Sequence, residues 1–173
     1  MAGPIRLFAL DVDGVLTDGS LVYGAGGEEL KIFNAHDGLG LVLLKRLGME
    51  IAIISGRDGE PLARRLDDLG ITQRRLKCRD KVSALVDICE DMGITLQDVA
   101  FMGDDLIDLT AMEAAGFALA PANAVAAVKA AADHITTKTG GHGAVREACE
   151  LLAKQMGASL EDAARNVRRI LVQ

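Results

Sequence analysis

Short apolar runs alternate along this chain with segments whose apolar residues recur at helical spacing. The runs predict strands at 5–10, 50–54, 75–77, 99–102, 117–120 and 133–136. The periodic segments predict helices near 39–47, 62–69, 80–93, 106–116, 123–132, 143–156 and 160–171. Such alternation is typical of βαβ units. It predicts an α/β fold with a doubly wound, Rossmann-like parallel sheet.

One segment departs from this alternation just after the first strand. Two short strand-like runs at 21–23 and 29–33 flank a glycine-rich turn at 24–27, which predicts a small β-hairpin at about 20–33. The hairpin would lie beside the acidic loop that follows the first strand. It could therefore act as a flap over a site there, and an ordinary surface hairpin is the alternative.

The size and composition fit one aliphatic domain. The 173 residues predict a single domain over 1–173, with the hairpin at about 20–33 and a C-terminal helix or tail at about 159–173. Half of the residues are hydrophobic but only 3% are aromatic, so the core must be built from aliphatic side chains. So few aromatic rings argue against base stacking.

The charge of the chain narrows the possible partners. A net charge of −6 argues against binding to nucleic acid, and against binding to a membrane through a basic protein surface, because both would need clustered lysine and arginine. An anionic substrate would therefore need a local basic pocket. The N-terminal residues lack a signal-peptide pattern, and no apolar run approaches membrane-spanning length. The three cysteines are far apart and without metal-ligand spacing, which is typical of reduced thiols. We expect a cytoplasmic enzyme.

The first candidate chemistry lies at the end of the first strand. Asp11 and Asp13 follow the apolar run 5–10, and two carboxylates at this spacing repel each other unless a cation compensates them. This loop therefore predicts a bound metal. An Asp/Gly turn without a ligand is the alternative.

Polar residues also follow the other central strands. Ser55, Gly56 and Arg57 follow the strand at 50–54, Lys81 begins the helix near 80–93, and the segment 103–108 follows the strand at 99–102. Ligands of doubly wound sheets bind outside the carboxyl ends of the strands, so we expect these groups to converge on one site.

The converging residue types point to phosphoryl transfer. Carboxylates from two strands suit Mg²⁺, Lys81 supplies a point charge, and Ser55 with the Gly56 amide at a helix start would donate to phosphoryl oxygens. Taken singly, these residues have simpler interpretations. Ser55 could cap a strand end, Lys81 could be a solvated helix residue, and Asp105 with Asp108 could be a helix N-cap and first-turn acid.

The order of these motifs resembles the haloacid dehalogenase superfamily of phosphohydrolases. The segment 11–17 matches its first motif, Ser55 its second, Lys81 its third, and 103–108 its fourth. The resemblance implies that Asp11 is the nucleophile and Asp13 the general acid and base, with Ser55 and Lys81 completing the catalytic set. It implies Mg²⁺ bound by Asp11, Asp13 and Asp104, with Asp105 and Asp108 as possible supporting residues behind them.

A finer resemblance covers nearly the whole chain. The segments 11–19, 33–38, 53–57, 103–109 and 140–147 are similar to the 3-deoxy-D-manno-octulosonate 8-phosphate (KDO 8-phosphate) phosphatase family. That family lacks a large cap domain, and the intervals between the motifs leave no room for one. The resemblance implies a homotetramer whose neighbouring subunits complete each site. It also implies substrate contacts from a set of polar residues: Asp13, Asn34, His36, Asp37, Gly38, Ser55, Gly56, Arg57, Arg65, Lys81 and His142.

Two alternatives to this substrate assignment remain. A phosphatase of a nine-carbon nonulosonate 9-phosphate would use the same chemistry, and such relatives tend to carry an acid where His142 stands. Many eight-carbon relatives carry an arginine there and a basic residue in place of Val42. The other alternative is a non-catalytic module like those fused to sugar-acid cytidylyltransferases. The intact acids Asp11, Asp13 and Asp104 argue against it.

Overall fold

The computed structural model describes residues 4–170. Its strands are β1 (Leu7–Leu10), β2 (Val22–Gly24), β3 (Gly27–Leu30), β4 (Glu50–Ile54), β5 (Gln73–Arg75), β6 (Val99–Met102), β7 (Phe117–Ala120) and β8 (His134–Ile135). Its α-helices are α1 (Ala35–Arg46), α2 (Glu60–Asp68), α3 (Lys81–Met92), α4 (Leu109–Ala114), α5 (Ala126–Ala131), α6 (Ala144–Gln155) and α7 (Leu160–Ile170). Short 3₁₀ turns occupy Leu96–Asp98 and Leu106–Asp108.

Within the described residues, six strands form one parallel sheet in the order β5-β4-β1-β6-β7-β8. From β1 the chain adds β4 and then β5 on one side, and it then returns to add β6, β7 and β8 on the other side. This reversal beside β1 is the topological switch point of a doubly wound sheet. The predicted fold class is therefore confirmed, and the described part of the chain has no large cap domain.

Helices cover both faces of the sheet. In β1, Phe8 and Leu10 pack on the face that also buries residues of α1, α2, α6 and α7, whereas Leu7 and Ala9 pack with residues of α3, α4 and α5. Side chains of a strand alternate between the two faces, so a strand covered on both sides must be apolar throughout. This explains why 5–10 appears in the sequence as a largely apolar run.

The predicted boundaries were wrong at several elements. The helix expected at 39–47 is α1 at Ala35–Arg46, and the second hairpin strand expected at 29–33 is β3 at Gly27–Leu30. The strand expected at 75–77 is β5 at Gln73–Arg75, and Lys77 has a positive φ of 54° that no strand adopts. The helix expected at 106–116 begins with the 3₁₀ turn Leu106–Asp108 before α4. The last helix was expected to reach residue 171, which lies outside the described residues.

The predicted hairpin is confirmed as an antiparallel pair of β2 and β3, separate from the main sheet. Several of its apolar side chains are exposed, Tyr23 by 58%, Leu30 by 62% and, just after it, Ile32 by 74%. In the described part of the chain, no helix combines the length and apolar character that crossing a membrane requires.

Candidate active site

The carboxyl ends of β1, β4 and β6 meet at one edge of the sheet because Leu10 pairs in register with Ile53 on one side and Met102 on the other. The residues that follow these strands therefore lie around a common space. A cavity of about 610 Å³ lies there. Its lining combines seven of the residues predicted from the sequence with hairpin-side and loop residues: Asp11, Asp13, Gly19, Leu21, Ser55, Gly56, Arg57, Asp104, Asp105 and Ile107.

A tight turn after β1 fixes the two aspartates. The carbonyl oxygen of Val12 accepts hydrogen bonds from the backbone N–H groups of residues 15, 16 and 17. Gly14 has a φ of +80°, and a Cβ atom there would overlap the Asp104 carboxylate. Only glycine allows both the left-handed backbone and this close approach.

Asn123 stabilises this turn by hydrogen bonds, a role that sequence reasoning missed. Its side-chain amide donates to the carbonyl oxygen of Gly14 at 2.9 Å, and its carbonyl accepts from the N–H of Gly140 at 2.6 Å. The only signal in the sequence was its position after β7, at the same edge of the sheet.

Lys81 links the two carboxylate loops. Its Nζ lies 2.9 Å from Asp11 Oδ2 and 2.5 Å from Asp108 Oδ1, and the residue is almost fully buried. The interpretation of Lys81 as a solvated helix residue is therefore wrong. Burial alone would lower the pKa of Lys81, but the charges of Asp11 and Asp108 raise it above its usual value. Lys81 is a fixed positive charge beside Asp11.

Asp108 combines a structural role with an electrostatic one. Its Oδ2 accepts from the backbone N–H groups of Asp104 and Asp105, while Oδ1 contacts Lys81. Asp105 caps the 3₁₀ turn by accepting from Leu106 N–H. The capping interpretation of these two acids is confirmed, and in addition Asp108 holds Lys81 and the loop that carries Asp104.

The acids at this edge exceed the positive charge that faces them. Oxygen atoms of Asp11, Asp104 and Asp108 lie within 4.8 Å of one another, and Lys81 is the ammonium group among them. Burial raises the pKa of Asp11 to about 6, and burial together with the charges of Asp11, Asp108 and Asp105 raises the pKa of Asp104 to about 7. A divalent cation would relieve this repulsion. Asp108 is turned toward Lys81 and the backbone of its own loop, whereas Asp11 and Asp104 line the cavity, so Asp11 and Asp104 are the better-placed ligands.

Ser55 and Gly56 line the cavity directly after β4. Ser55 is buried, and its Oγ accepts from the N–H of Arg57 at 3.2 Å. Helix α2 begins only at Glu60, so the prediction that Gly56 lies at a helix start is wrong. Any anion held by Ser55 and Gly56 would be bound by a loop rather than by the dipole of a helix.

Asp13 faces two basic side chains. Lys31 Nζ lies 2.5 Å from Asp13 Oδ1, and Arg57 Nε lies 3.8 Å from Oδ2. Arg57 also donates to the hydroxyl of Tyr23 in β2 at 2.9 Å. Sequence reasoning missed Lys31 because a lysine in a predicted surface hairpin is ordinarily solvated. The hairpin is thus tied to the site rather than being an ordinary surface hairpin.

The predicted sugar-binding segment forms the first turn of α1. Asn34 caps this helix by accepting from the N–H groups of His36 and Asp37. Arg65 donates to the carbonyl oxygen of Asn34 and packs against Gly38, where a Cβ atom would overlap its guanidinium. Arg65 lines a neighbouring cavity of about 590 Å³ that Lys31 also lines.

Three other predicted substrate contacts, Asp37, His36 and His142, lie outside the aspartate cavity. The Asp37 carboxylate is buried and accepts from the backbone N–H groups of Gly143 and Arg146 at the start of α6. Burial raises the pKa of Asp37 above its usual value, although these hydrogen bonds oppose the shift. His36 and His142 line a third cavity of about 660 Å³, which does not include Asp11. Within one chain, these residues do not join the aspartate cavity.

Comparisons with known proteins agree with the fold and the motifs. Residues 76–148 match the model of the haloacid dehalogenase-like hydrolase family. The chain is 42% identical over 155 residues to the KDO 8-phosphate phosphatase of Haemophilus influenzae, covering 90% of this chain and 86% of that protein. It is 44% identical over 153 residues to the Escherichia coli K12 enzyme of the same name, covering 88% and 81%.

Solved structures extend this similarity to the backbone. The KDO 8-phosphate phosphatase of Moraxella catarrhalis, in complex with a magnesium ion, a phosphate ion and KDO, has a TM-score of 0.85 and 48% identity, covering 87% of each chain. The cobalt-bound Haemophilus influenzae enzyme has a TM-score of 0.86 and 42% identity, covering 88% of this chain and 90% of that one. With the strand-end aspartates, Ser55 and Lys81 in place around one cavity, this chain belongs to the KDO 8-phosphate phosphatase family of haloacid dehalogenase-like hydrolases.

Proposed function

We propose that this phosphatase hydrolyses KDO 8-phosphate to KDO and inorganic phosphate in a Mg²⁺-dependent reaction. The observation that carries the proposal is the similarity to the Moraxella catarrhalis enzyme in complex with magnesium, phosphate and KDO, at 48% identity. The product would serve lipopolysaccharide precursor synthesis in the cytoplasm.

The first chemical step would form an aspartyl phosphate. An Asp11 oxygen attacks phosphorus, the bond from phosphorus to the sugar oxygen breaks, and Asp13 gives a proton to the departing alkoxide. Asp11 is suited to attack because it directly follows β1 at the cavity wall, where its Oδ1 accepts from the N–H of Val12 at 2.7 Å. Lys81, 2.9 Å from Oδ2, keeps the carboxylate oriented.

The second step would release phosphate and restore the enzyme. A water molecule gives a proton to Asp13 while its oxygen bonds to phosphorus, and the electron pair of the breaking bond returns to Asp11. Asp13 is suited to this role because its side chain is 20% exposed in the cavity and it lies in the same loop as Asp11.

Asp11 and Asp104, together with the backbone carbonyl of Asp13, would hold the magnesium ion. The surplus of carboxylates around Lys81 fits a divalent cation with oxygen ligands. When bound, Mg²⁺ supplies charge stabilisation for the phosphoryl oxygens. Asp105 and Asp108 would stabilise the loop that carries Asp104 through their hydrogen bonds to its backbone.

The remaining polar residues would recognise the substrate. Lys81, Ser55 and Gly56 would hold the phosphoryl group, and Arg57 and Arg65 would attract the carboxylate of the sugar acid. Asn34, His36, Gly38 and His142 would contact its hydroxyl groups. Because the Asp37 carboxylate is engaged by α6, Asp37 would act by holding this segment in place.

A homotetramer would complete the site, because single chains separate these residues into neighbouring cavities. The exposed apolar side chains of the hairpin, including Tyr23, Leu30 and Ile32, would then be buried between subunits. Sedimentation equilibrium should give about four chains per particle. A fully active monomer at assay concentrations would contradict the tetramer.

A phosphate-release screen with and without Mg²⁺ tests the substrate. We expect KDO 8-phosphate to be cleaved with a kcat/KM at least about 10-fold above that for a nonulosonate 9-phosphate, since contacts to the sugar discriminate by about 1–3 kcal/mol. A higher value for the nine-carbon substrate would instead support the nonulosonate alternative. Absence of Mg²⁺-stimulated release from every sugar phosphate would support the non-catalytic module.

A further inference from the structure

The side chain of Lys31 is buried, which is unusual for a lysine. It directly follows β3, between the exposed side chains of Leu30 and Ile32, yet its own side chain is only 1% exposed. Burying an ammonium group costs free energy unless a charged partner compensates it. Asp13 supplies such a partner, at 2.5 Å.

The contacts of Asp13 restrict its orientation from two sides. Lys31 holds Oδ1, and Arg57 lies 3.8 Å from Oδ2 while donating to Tyr23 of β2. The two strands of the hairpin are thereby connected to the same carboxylate. A short, charge-assisted contact of this kind fixes a side chain that would otherwise rotate toward solvent.

We infer that Lys31 is a positioning residue that holds the Asp13 carboxyl group in the orientation its proton transfers require. The inference rests on the proposed function, in which Asp13 protonates the departing sugar oxygen and then accepts the proton of the attacking water. The contact between Lys31 Nζ and Oδ1 holds the carboxyl group in one orientation, in which it can meet the departing oxygen and then the attacking water. A leaving group that needs little protonation removes the demand on Asp13 in the first step, so with such a substrate the loss of Lys31 slows mainly the second step.

The test separates these two steps with p-nitrophenyl phosphate, whose leaving group needs little protonation. In a Lys31→Met variant, which keeps the length of the side chain and removes its charge, we expect kcat to fall about 10- to 100-fold. We expect kcat/KM to change less than about 3-fold, because it reports only the steps up to and including the departure of nitrophenolate. Stopped-flow absorbance should then show a burst of nitrophenolate of about one equivalent per site, as an aspartyl phosphate accumulates.

Two further variants serve as controls. Lys77→Met removes a lysine that is 75% exposed and paired with Asp58, so its kinetics should match the wild type. Lys31→Arg should recover part of kcat because it restores a cation beside Asp13. Thermal melting of Lys31→Met detects any loss of folding directly.

Other outcomes overturn the inference. Equal losses of kcat and kcat/KM without a burst would mean that Lys31 binds the phosphoryl group or only stabilises the hairpin. Unchanged kinetics would mean that Asp13 needs no support from Lys31. These results leave the proposed function standing, provided that the wild type releases phosphate. If the wild type cleaves no phosphate ester at all, the proposed function fails and this inference fails with it.

Discussion

An Asp11→Asn variant should lose at least about 10⁴-fold in kcat while remaining folded, because loss of a nucleophile removes the covalent route entirely. The amide has nearly the shape of the carboxylate but cannot attack phosphorus. Burial raises the pKa of Asp11 to about 6, so the charge costs stability in its buried position. Lys81 keeps its contact with Asp108 at 2.5 Å in the variant, so we expect little change in melting temperature.

Phosphate release, thermal melting and trapping of an acid-stable phosphoenzyme measure this prediction. The matched control is Asp18→Asn, an exposed aspartate of the same loop whose carboxylate accepts from the N–H of Ser20. Its turnover should stay within about 3-fold of the wild type, as expected for surface substitutions. Wild-type turnover in Asp11→Asn would contradict the aspartyl-phosphate mechanism.

The sheet and the cavity could be predicted from the sequence because both follow from local patterns. An apolar run such as 5–10 is buried on both faces of a parallel sheet, and the residue after it must lie at the carboxyl edge. The same rule brought Asp11, Ser55 and Asp104 to one cavity. Periodicity therefore predicts which residues meet whenever the strand ends bring them together.

Contacts between segments distant in the sequence could not be predicted in this way. Lys31 reaches Asp13, and Asn123 bridges Gly14 and Gly140, through tertiary packing that leaves no periodic signal. Asp37 was expected to contact substrate, but no pattern indicated that its carboxylate accepts from the start of α6. The division of residues among three cavities likewise depends on how the hairpin, α2 and α6 pack.

An Asp104→Asn variant should lose at least about 10²-fold in kcat, the size of effect seen when one electrostatic partner of a transition state is removed. It should also lose its response to Mg²⁺. Without metal, however, the variant should be more stable than the wild type at pH 8, because burial and the neighbouring acids raise the pKa of Asp104 to about 7. Loss of one of these mutually repelling charges favours the folded state.

The pH dependence follows from the direction of that shift. Between about pH 4 and pH 7, the folded wild type binds more protons at Asp104 than the unfolded chain does. The free energy of unfolding without metal therefore falls as the pH rises through this window, and the uncharged amide of the Asp104→Asn variant contributes no such fall. In the wild type, Mg²⁺ should restore stability most at the high end of the window, where the carboxylates are ionised and free to bind it.

Two measurements test this prediction. One is the melting temperature at pH 5 and at pH 8, without Mg²⁺ and at Mg²⁺ concentrations raised in 10-fold steps, and the other is phosphate release. We expect Mg²⁺ to raise the wild-type melting temperature at pH 8 by at least about 2 °C, which corresponds to roughly 1 kcal/mol in a chain of this size. Asp91→Asn is the matched control, since this exposed acid pairs with Arg75 away from the cavity and should retain the full Mg²⁺ response. An Asp104→Asn protein that Mg²⁺ stabilises as strongly as the wild type would place the cation elsewhere, since Asp104 would then contribute nothing to holding it.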